Sequence, residues 1–286
     1  MPGAPRFGLH VFAGFQVMPP PAKRQSRNSR PVVWLEDCCV QEEPYMPIAD
    51  SHPDYAAMAG RLAGIRARID AACARAGRSS GQVDLLPVSK TFGADAVRAA
   101  MALGLTRFGE NKTQEISLKS REINDPAISW VMIGHLQTNK AKEAASFAAE
   151  VQSLDRLALA EALERRLQHE GRAIDVLVQV KTSPEPSKFG LDPQELPAFL
   201  RQLAAFDTLR VRGLMTLAVN SADPQAVRSC FGALRQWRDR LQADGAADLT
   251  RLSMGMSGDF ELAIEEGSTE VRIGSAIFGR RDYGPL

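Results

Sequence analysis

Val83-Asp84-Leu85-Leu86-Pro87-Val88-Ser89-Lys90 is a short apolar run that ends on a lysine. Its length and its bounding polar residues predict a strand that emerges from a core and leaves a buried amine at its mouth. Desolvation at such a place disfavours the ammonium form, which frees a nucleophilic nitrogen able to condense with an aldehyde. Taken alone, Lys90 also reads as a lysine that snorkels to solvent or pairs with a carboxylate. Its meaning depends on what the rest of the chain brings near it.

Seven further apolar runs follow, at Thr106 to Phe108, Ser129 to Ile133, Glu150 to Leu154, Ile174 to Val180, Val211 to Thr216, Leu252 to Met254 and Val271 to Ile273. Between them lie helical patterns. Arg156 to Glu170 carries Leu157, Leu159, Leu163 and Leu167, and Pro224 to Ala243 carries Val227, Phe231, Leu234, Trp237 and Leu241, each set on an amphipathic face. An Ala/Arg-rich helix from Asp54 to Ala76, stopped by Gly77, precedes the first strand. Strands alternating with helices imply parallel pairing through right-handed crossovers. Eight such units predict a single α/β barrel of the TIM (β/α)8 type with an extra N-terminal helix; the alternative is an open doubly wound sheet. No strand-linked Gly-x-Gly-x-x-Gly supports a dinucleotide fold.

The length of 286 residues suits one such barrel, which typically takes about 250. Hydrophobic residues at 44% and charged residues at 24% are those of an ordinary globular protein, and no apolar run is long enough to span a membrane. A net charge of +1 predicts neither a nucleic-acid nor a membrane partner. The four cysteines and four histidines lack the spacing of a disulfide framework or a metal site, so a cytoplasmic protein without structural metal is expected. Residues 1–50 differ from the rest. Pro19-Pro20-Pro21 leads into Lys23, Arg24, Arg27 and Arg30, with no acidic residue before Glu36. This segment is expected to be disordered or spurious, translation starting near Met46, and 51–286 to form the barrel. An intact mass from the native host that includes Met1 to Tyr45 would remove that expectation.

Active chemistry in such a barrel belongs at the C-terminal ends of the strands. Ser257, after the seventh run, precedes the helical stretch Phe260 to Glu266, where a hydroxyl and free amides suit an anion, although a serine there also reads as a helix cap. Gly274 and Ser275 follow the eighth run, where a backbone without a side chain approaches a ligand closely. The loops after strands seven and eight are the recurrent phosphate position of this fold, and they lie beside strand one in a closed barrel. An amine opposite a phosphate cradle is what pyridoxal 5'-phosphate requires. Arg272 would then address its pyridine nitrogen, the alternative being a salt bridge at the barrel rim. A permanently charged partner leaves that ring a weak electron sink, so strong carbanion chemistry is not implied.

Six ordered motifs carry a family resemblance: Val88-Ser89-Lys90, Phe108-Gly109-Glu110-Asn111, Ile133-Gly134-His135-Leu136-Gln137-x-Asn139-Lys140, Gly213-Leu214-Met215-Thr216, Ser253-Met254-Gly255-Met256-Ser257 and Gly267-Ser268-Thr269-x-Val271-Arg272-Ile273-Gly274. From Met58 to Gly284 the chain resembles the pyridoxal phosphate homeostasis proteins, whose fold is similar to the barrel domain of alanine racemase. The resemblance implies a non-catalytic carrier and regulator of intracellular pyridoxal phosphate, with possible recipient enzymes as partners and the cofactor held as a Schiff base on Lys90. It implies further that Arg272 faces the pyridine nitrogen, that Ser257, Gly274 and Ser275 hold the phosphate, and that Asn111 reaches the ring hydroxyl. His135 reads either as a neighbour of the cofactor ring or as a packed strand-end residue. Lys188 matches a loop lysine of the family, which implies handling of cofactor in transit, a solvated loop lysine being the alternative. A pyridoxal-phosphate-dependent racemase is the competing function. It requires a proton acceptor on each face of the cofactor, which alanine racemase meets with a tyrosine from an extra β domain. Tyr45 and Tyr55 precede the barrel and only Tyr283 falls near the site end, so no racemase activity is expected, and the lack of an obvious dimer domain predicts a monomer.

Overall fold

The computed structural model describes residues 54–279, so the expected disordered segment 1–50 and Tyr283 lie outside the described residues. The strands are β1 Asp84–Pro87, β2 Arg107–Glu110, β3 Ser129–Met132, β4 Glu150–Leu154, β5 Ile174–Gln179, β6 Leu209–Met215, β7 Arg251–Met256 and β8 Glu270–Ile273. Each is followed by a helix: α2 Ala94–Ala102, α3 Thr113–Ile123, α4 Ala141–Phe147, α5 Leu157–Glu170, α6 Leu196–Leu203, α7 Pro224–Ala243, α8 Phe260–Glu265 and α9 Ser275–Phe278, with α1 Tyr55–Arg75 ahead of β1. All pairings are parallel, and β1 pairs with β8, so the sheet curls on itself as the (β/α)8 expectation requires.

The seam between β1 and β2 is the thin place in this wall. It carries a single bridge, Val88 to Gly109, with Ser89 N–H donating to Gly109 O at 3.1 Å. Burial on both faces explains why the strands read as continuous apolar runs: Val176, Leu177 and Val178, for example, are fully buried. The helices cover the outside through one stripe each. On α7 the stripe is Val227, Cys230, Phe231, Leu234 and Leu241, and the helix starts where the Asp223 carboxylate accepts from Gln225 N–H with Pro224 in the first turn. α9 is a single turn, and α1 packs beside it and α8, with Arg61 Nε donating to Ile277 O at 2.7 Å.

The N-terminal ends of four strands close the barrel bottom with charge. Arg107 of β2 and Arg251 of β7 both bridge Glu150 of β4 and Glu270 of β8 at 2.8–3.0 Å. Burial alone would raise the Glu270 carboxyl, but the two guanidiniums hold it below the usual carboxylate range. Paired charge at this end serves the fold, since the chemistry of this architecture sits at the other.

Candidate active site at the barrel mouth

A cavity of about 470 Å³ opens at the C-terminal ends of the strands. Lys90, Asn111, His135, Ser257, Arg272, Gly274 and Ser275 all line it, although the sequence separates them by as much as 185 positions. Gln179, Phe189, Leu217 and Met256 line it too and were not anticipated.

Arg272 forms the floor. It stands on β8, 4% exposed, and its side chain is held by neutral acceptors: Nη1 donates to Ser253 Oγ and Nη2 to Thr216 O, both at 2.8 Å. Burial lowers its pKa to about 10 against the pull of Glu270 and Asp259. The rim salt bridge considered from sequence is therefore not what anchors it. A buried guanidinium without a hydrogen-bonded carboxylate keeps donors for a ligand.

Two turns form one wall. Between β7 and α8, Asp259 accepts from Met256 N–H at 2.6 Å and returns its own N–H to Met256 O at 3.1 Å. Asp259 occupies the cap position of α8, which corrects the reading of Ser257 as a cap: Ser257 lies at the tip of the turn, on the cavity. Between β8 and α9, Gly274 caps α9, and its carbonyl accepts from Ile277 and Phe278 N–H. A Cβ on Gly274 would come 3.3 Å from Val88 O, so this turn rests directly on the end of β1.

The opposite wall comes from β2 and β3. A Cβ on Gly134 would lie 2.2 Å from Asn111 O, so only glycine lets the two strand ends approach closely enough to put Asn111 on the cavity. His135 lies at the exposed rim and not in the core: its ring stacks on Phe189 at 4.0 Å between centroids, and Nδ1 lies 3.5 Å from Asp155 Oδ2. Lys188 does not line the cavity and pairs with Glu185 at 3.5 Å, whereas its neighbour Phe189, 56% exposed, does.

Lys90 itself is half-buried, which corrects the expectation of a buried amine, because the strand ends at Pro87 and a turn carries Lys90 to the rim. Among the described residues the buried lysine is Lys119 of α3, 4% exposed. Lys119 Nζ donates to Glu110 Oε1 at 2.6 Å and to Ser89 O at 2.9 Å, and Ser89 Oγ donates to the same Glu110 oxygen at 2.6 Å. Burial pushes the Glu110 carboxyl up to about 7 despite Lys119. Glu115, partly desolvated, is nonetheless held low by Thr91 N–H and Lys119. The signal was present in Glu115 and Lys119, four apart on one helix face, but nothing local ties that face to Ser89.

Residues 61–282 match the family described as alanine racemase, N-terminal domain. The chain is 43% identical to the pyridoxal phosphate homeostasis protein of Pseudomonas aeruginosa, over 79% of this chain and 97% of that one. The Aquifex aeolicus protein of the same name is 40% identical over 78% and 98%. Among solved structures, PipY of Synechococcus elongatus with PLP bound superposes with a TM-score of 0.69 at 37% identity, covering 78% of this chain and all of that one. Alanine racemase of Corynebacterium glutamicum, at 18% identity and a TM-score of 0.59, shares the fold. With its parallel barrel and these relatives, the chain belongs to the pyridoxal phosphate homeostasis protein family, within the alanine racemase N-terminal domain group.

Proposed function

We propose that this protein binds pyridoxal 5'-phosphate in the barrel-mouth cavity and serves as a monomeric, cytoplasmic carrier and regulator of the cofactor, passing it to recipient enzymes, and not as an enzyme that turns over amino acids. The observation that carries the reading is the convergence of an amine, Lys90, a buried guanidinium, Arg272, and the Ser257 and Gly274-Ser275 turns on one cavity. Its volume falls in the roughly 300–1,000 Å³ range of small-molecule sites. The names of the relatives and the cofactor in PipY support the ligand.

The residues present fit that group. Ser257, Gly274 and Ser275 would take the phosphate, Arg272 would donate to the ring nitrogen, Asn111 would reach the ring hydroxyl, and His135 would flank the ring. When bound, the cofactor would supply an aldehyde as electrophile, and Lys90 on the cavity rim would hold the amine that faces it. The barrel as a whole, 51–286, is assigned this role.

Titration of purified protein with pyridoxal phosphate, followed by absorbance, tests the reading. Wild type should develop a saturable visible band and Lys90→Ala should not. No saturable band in wild type contradicts the function, and equal bands in both contradict the place of Lys90.

A further inference from the structure

The backbone on both sides of Lys90 is gripped from one helix. On the N-terminal side, Lys119 Nζ donates to Ser89 O at 2.9 Å; on the C-terminal side, Thr91 N–H donates to Glu115 Oε2 at 2.8 Å. Lys119 and Glu115 are one turn apart on α3 and lie 3.5 Å from each other, so the two grips share a footing. A third hold comes from β2, where Glu110 Oε1 takes both the Ser89 hydroxyl and Lys119 at 2.6 Å.

Two features show that this arrangement constrains the chain locally. Thr91 has φ of 70°, a conformation that β-branched residues avoid and that persists only where the surroundings over-determine it. The grips also fall on the β1–β2 seam, where the main-chain ladder has shrunk to the Val88–Gly109 bridge. Stability alone is a poor reason for them. A buried ammonium and carboxylate cost desolvation that an apolar pair would avoid, and Glu110 Oε2 is buried with no hydrogen-bond partner. That carboxyl is pushed up to about 7 by burial, so its hold on Ser89 and Lys119 is bought against its environment.

Resting on the proposed cofactor reading, the geometry points to Lys119, with Glu110 and Glu115, as positioning residues that fix the main chain of Lys90 so that its amine meets the aldehyde carbon. They do not line the cavity and act only through residues 89–91. A half-buried lysine on a free turn would sample the barrel mouth, and holding its root is how the fold can raise the effective concentration of the amine.

The test compares two probes that differ only at the reacting carbon: pyridoxal phosphate, and pyridoxine phosphate, which carries a hydroxymethyl group there and cannot bond to Lys90. Dissociation constants for both are measured by calorimetry on wild type, on the charge-neutral double variant Glu110→Gln/Lys119→Met, and on Glu115→Ala, which alters a partly exposed side chain and keeps the test open if the double variant fails to fold. Each variant should bind pyridoxal phosphate about tenfold more weakly and pyridoxine phosphate within about twofold of wild type. Unchanged pyridoxal phosphate affinity, or equal losses for both probes, overturns the positioning role. Borohydride labelling of wild type separates the two readings: absence of label at Lys90 overturns the cofactor reading and this inference with it, whereas label at Lys90 with unchanged variants overturns this inference alone.

Discussion

Arg272 Nη1 donates to Ser253 Oγ at 2.8 Å, and that hydroxyl donates onward to Gln152 Oε1 at 2.7 Å. Gln152 Nε2 in turn reaches Glu150 at 2.8 Å and Glu270 at 2.5 Å. One directed chain of hydrogen bonds therefore runs through the barrel from the cavity floor to the charged bottom. Ser253→Ala should break it at the middle, leaving donors and acceptors unpaired in a fully buried site. The expected loss is about 1–3 kcal/mol in urea unfolding, together with weaker pyridoxal phosphate binding as Arg272 loosens. Stability within error of wild type would show that the chain is dispensable.

Glu110 gives a pH signature. Its carboxyl lies at about 7 in the folded protein against 4.5 for the free group, so between these values the folded state holds a proton that the unfolded state has released. Its contribution to stability is thus fully present below about pH 4.5 and is lost as pH rises through about 7, a swing on the order of 3 kcal/mol. Unfolding free energies of wild type and Glu110→Gln across pH 4.5–8 should diverge in slope by that sense. Parallel curves would contradict the assignment.

Gly134→Ala tests the close approach of β2 and β3. The new methyl would meet Asn111 backbone at 2.2 Å, so the strand ends must part, at a cost of roughly 1–3 kcal/mol or more. Asn111 should leave the cavity, and cofactor affinity should fall with thermal stability. A variant as stable as wild type would mean that the strand ends shift freely.

Phe189→Ala should separate binding kinetics from folding. Phe189 is 56% exposed and its stack on His135 is worth about 0.5–1.5 kcal/mol, so unfolding should change little. Loss of this wall at the cavity mouth should speed pyridoxal phosphate release in stopped-flow measurements. Release at the wild-type rate would show that the stack does not limit exit.

The barrel was legible because its strands are buried on both faces and so appear as apolar runs. Glu150–Leu154 and Pro224–Ala243 have the bounds the pattern predicts, and Asp223-Pro224 marks where α7 starts. The strand-end rule pointed to Lys90, Ser257, Gly274 and Ser275, the cofactor reading added Arg272, the family motifs added Asn111 and His135, and all of these line one cavity. Less legible were features set by contacts distant in sequence. Lys90 was expected to be buried because the apolar run through Val88 hides where the strand stops, and β1 ends at Pro87. Ser257 resembled a cap because the Asp259 turn that displaces it depends on backbone geometry. Lys119 went unremarked because its partners Ser89 and Glu110 are thirty and nine residues away and meet it only once α3 docks on the β1–β2 seam.

An assay for alanine racemisation should give no substrate-saturable rate with the loaded protein. A saturable rate would move the protein from carrier to enzyme.

The central claim is that Lys90 is the amine that bonds to pyridoxal phosphate. Reduction of the loaded protein with borohydride, followed by peptide mapping, measures it directly. Modification confined to the peptide that contains Lys90 is the predicted result. Modification of Lys119 or Lys188 in its place, or no modified peptide after incubation with the cofactor, would contradict it.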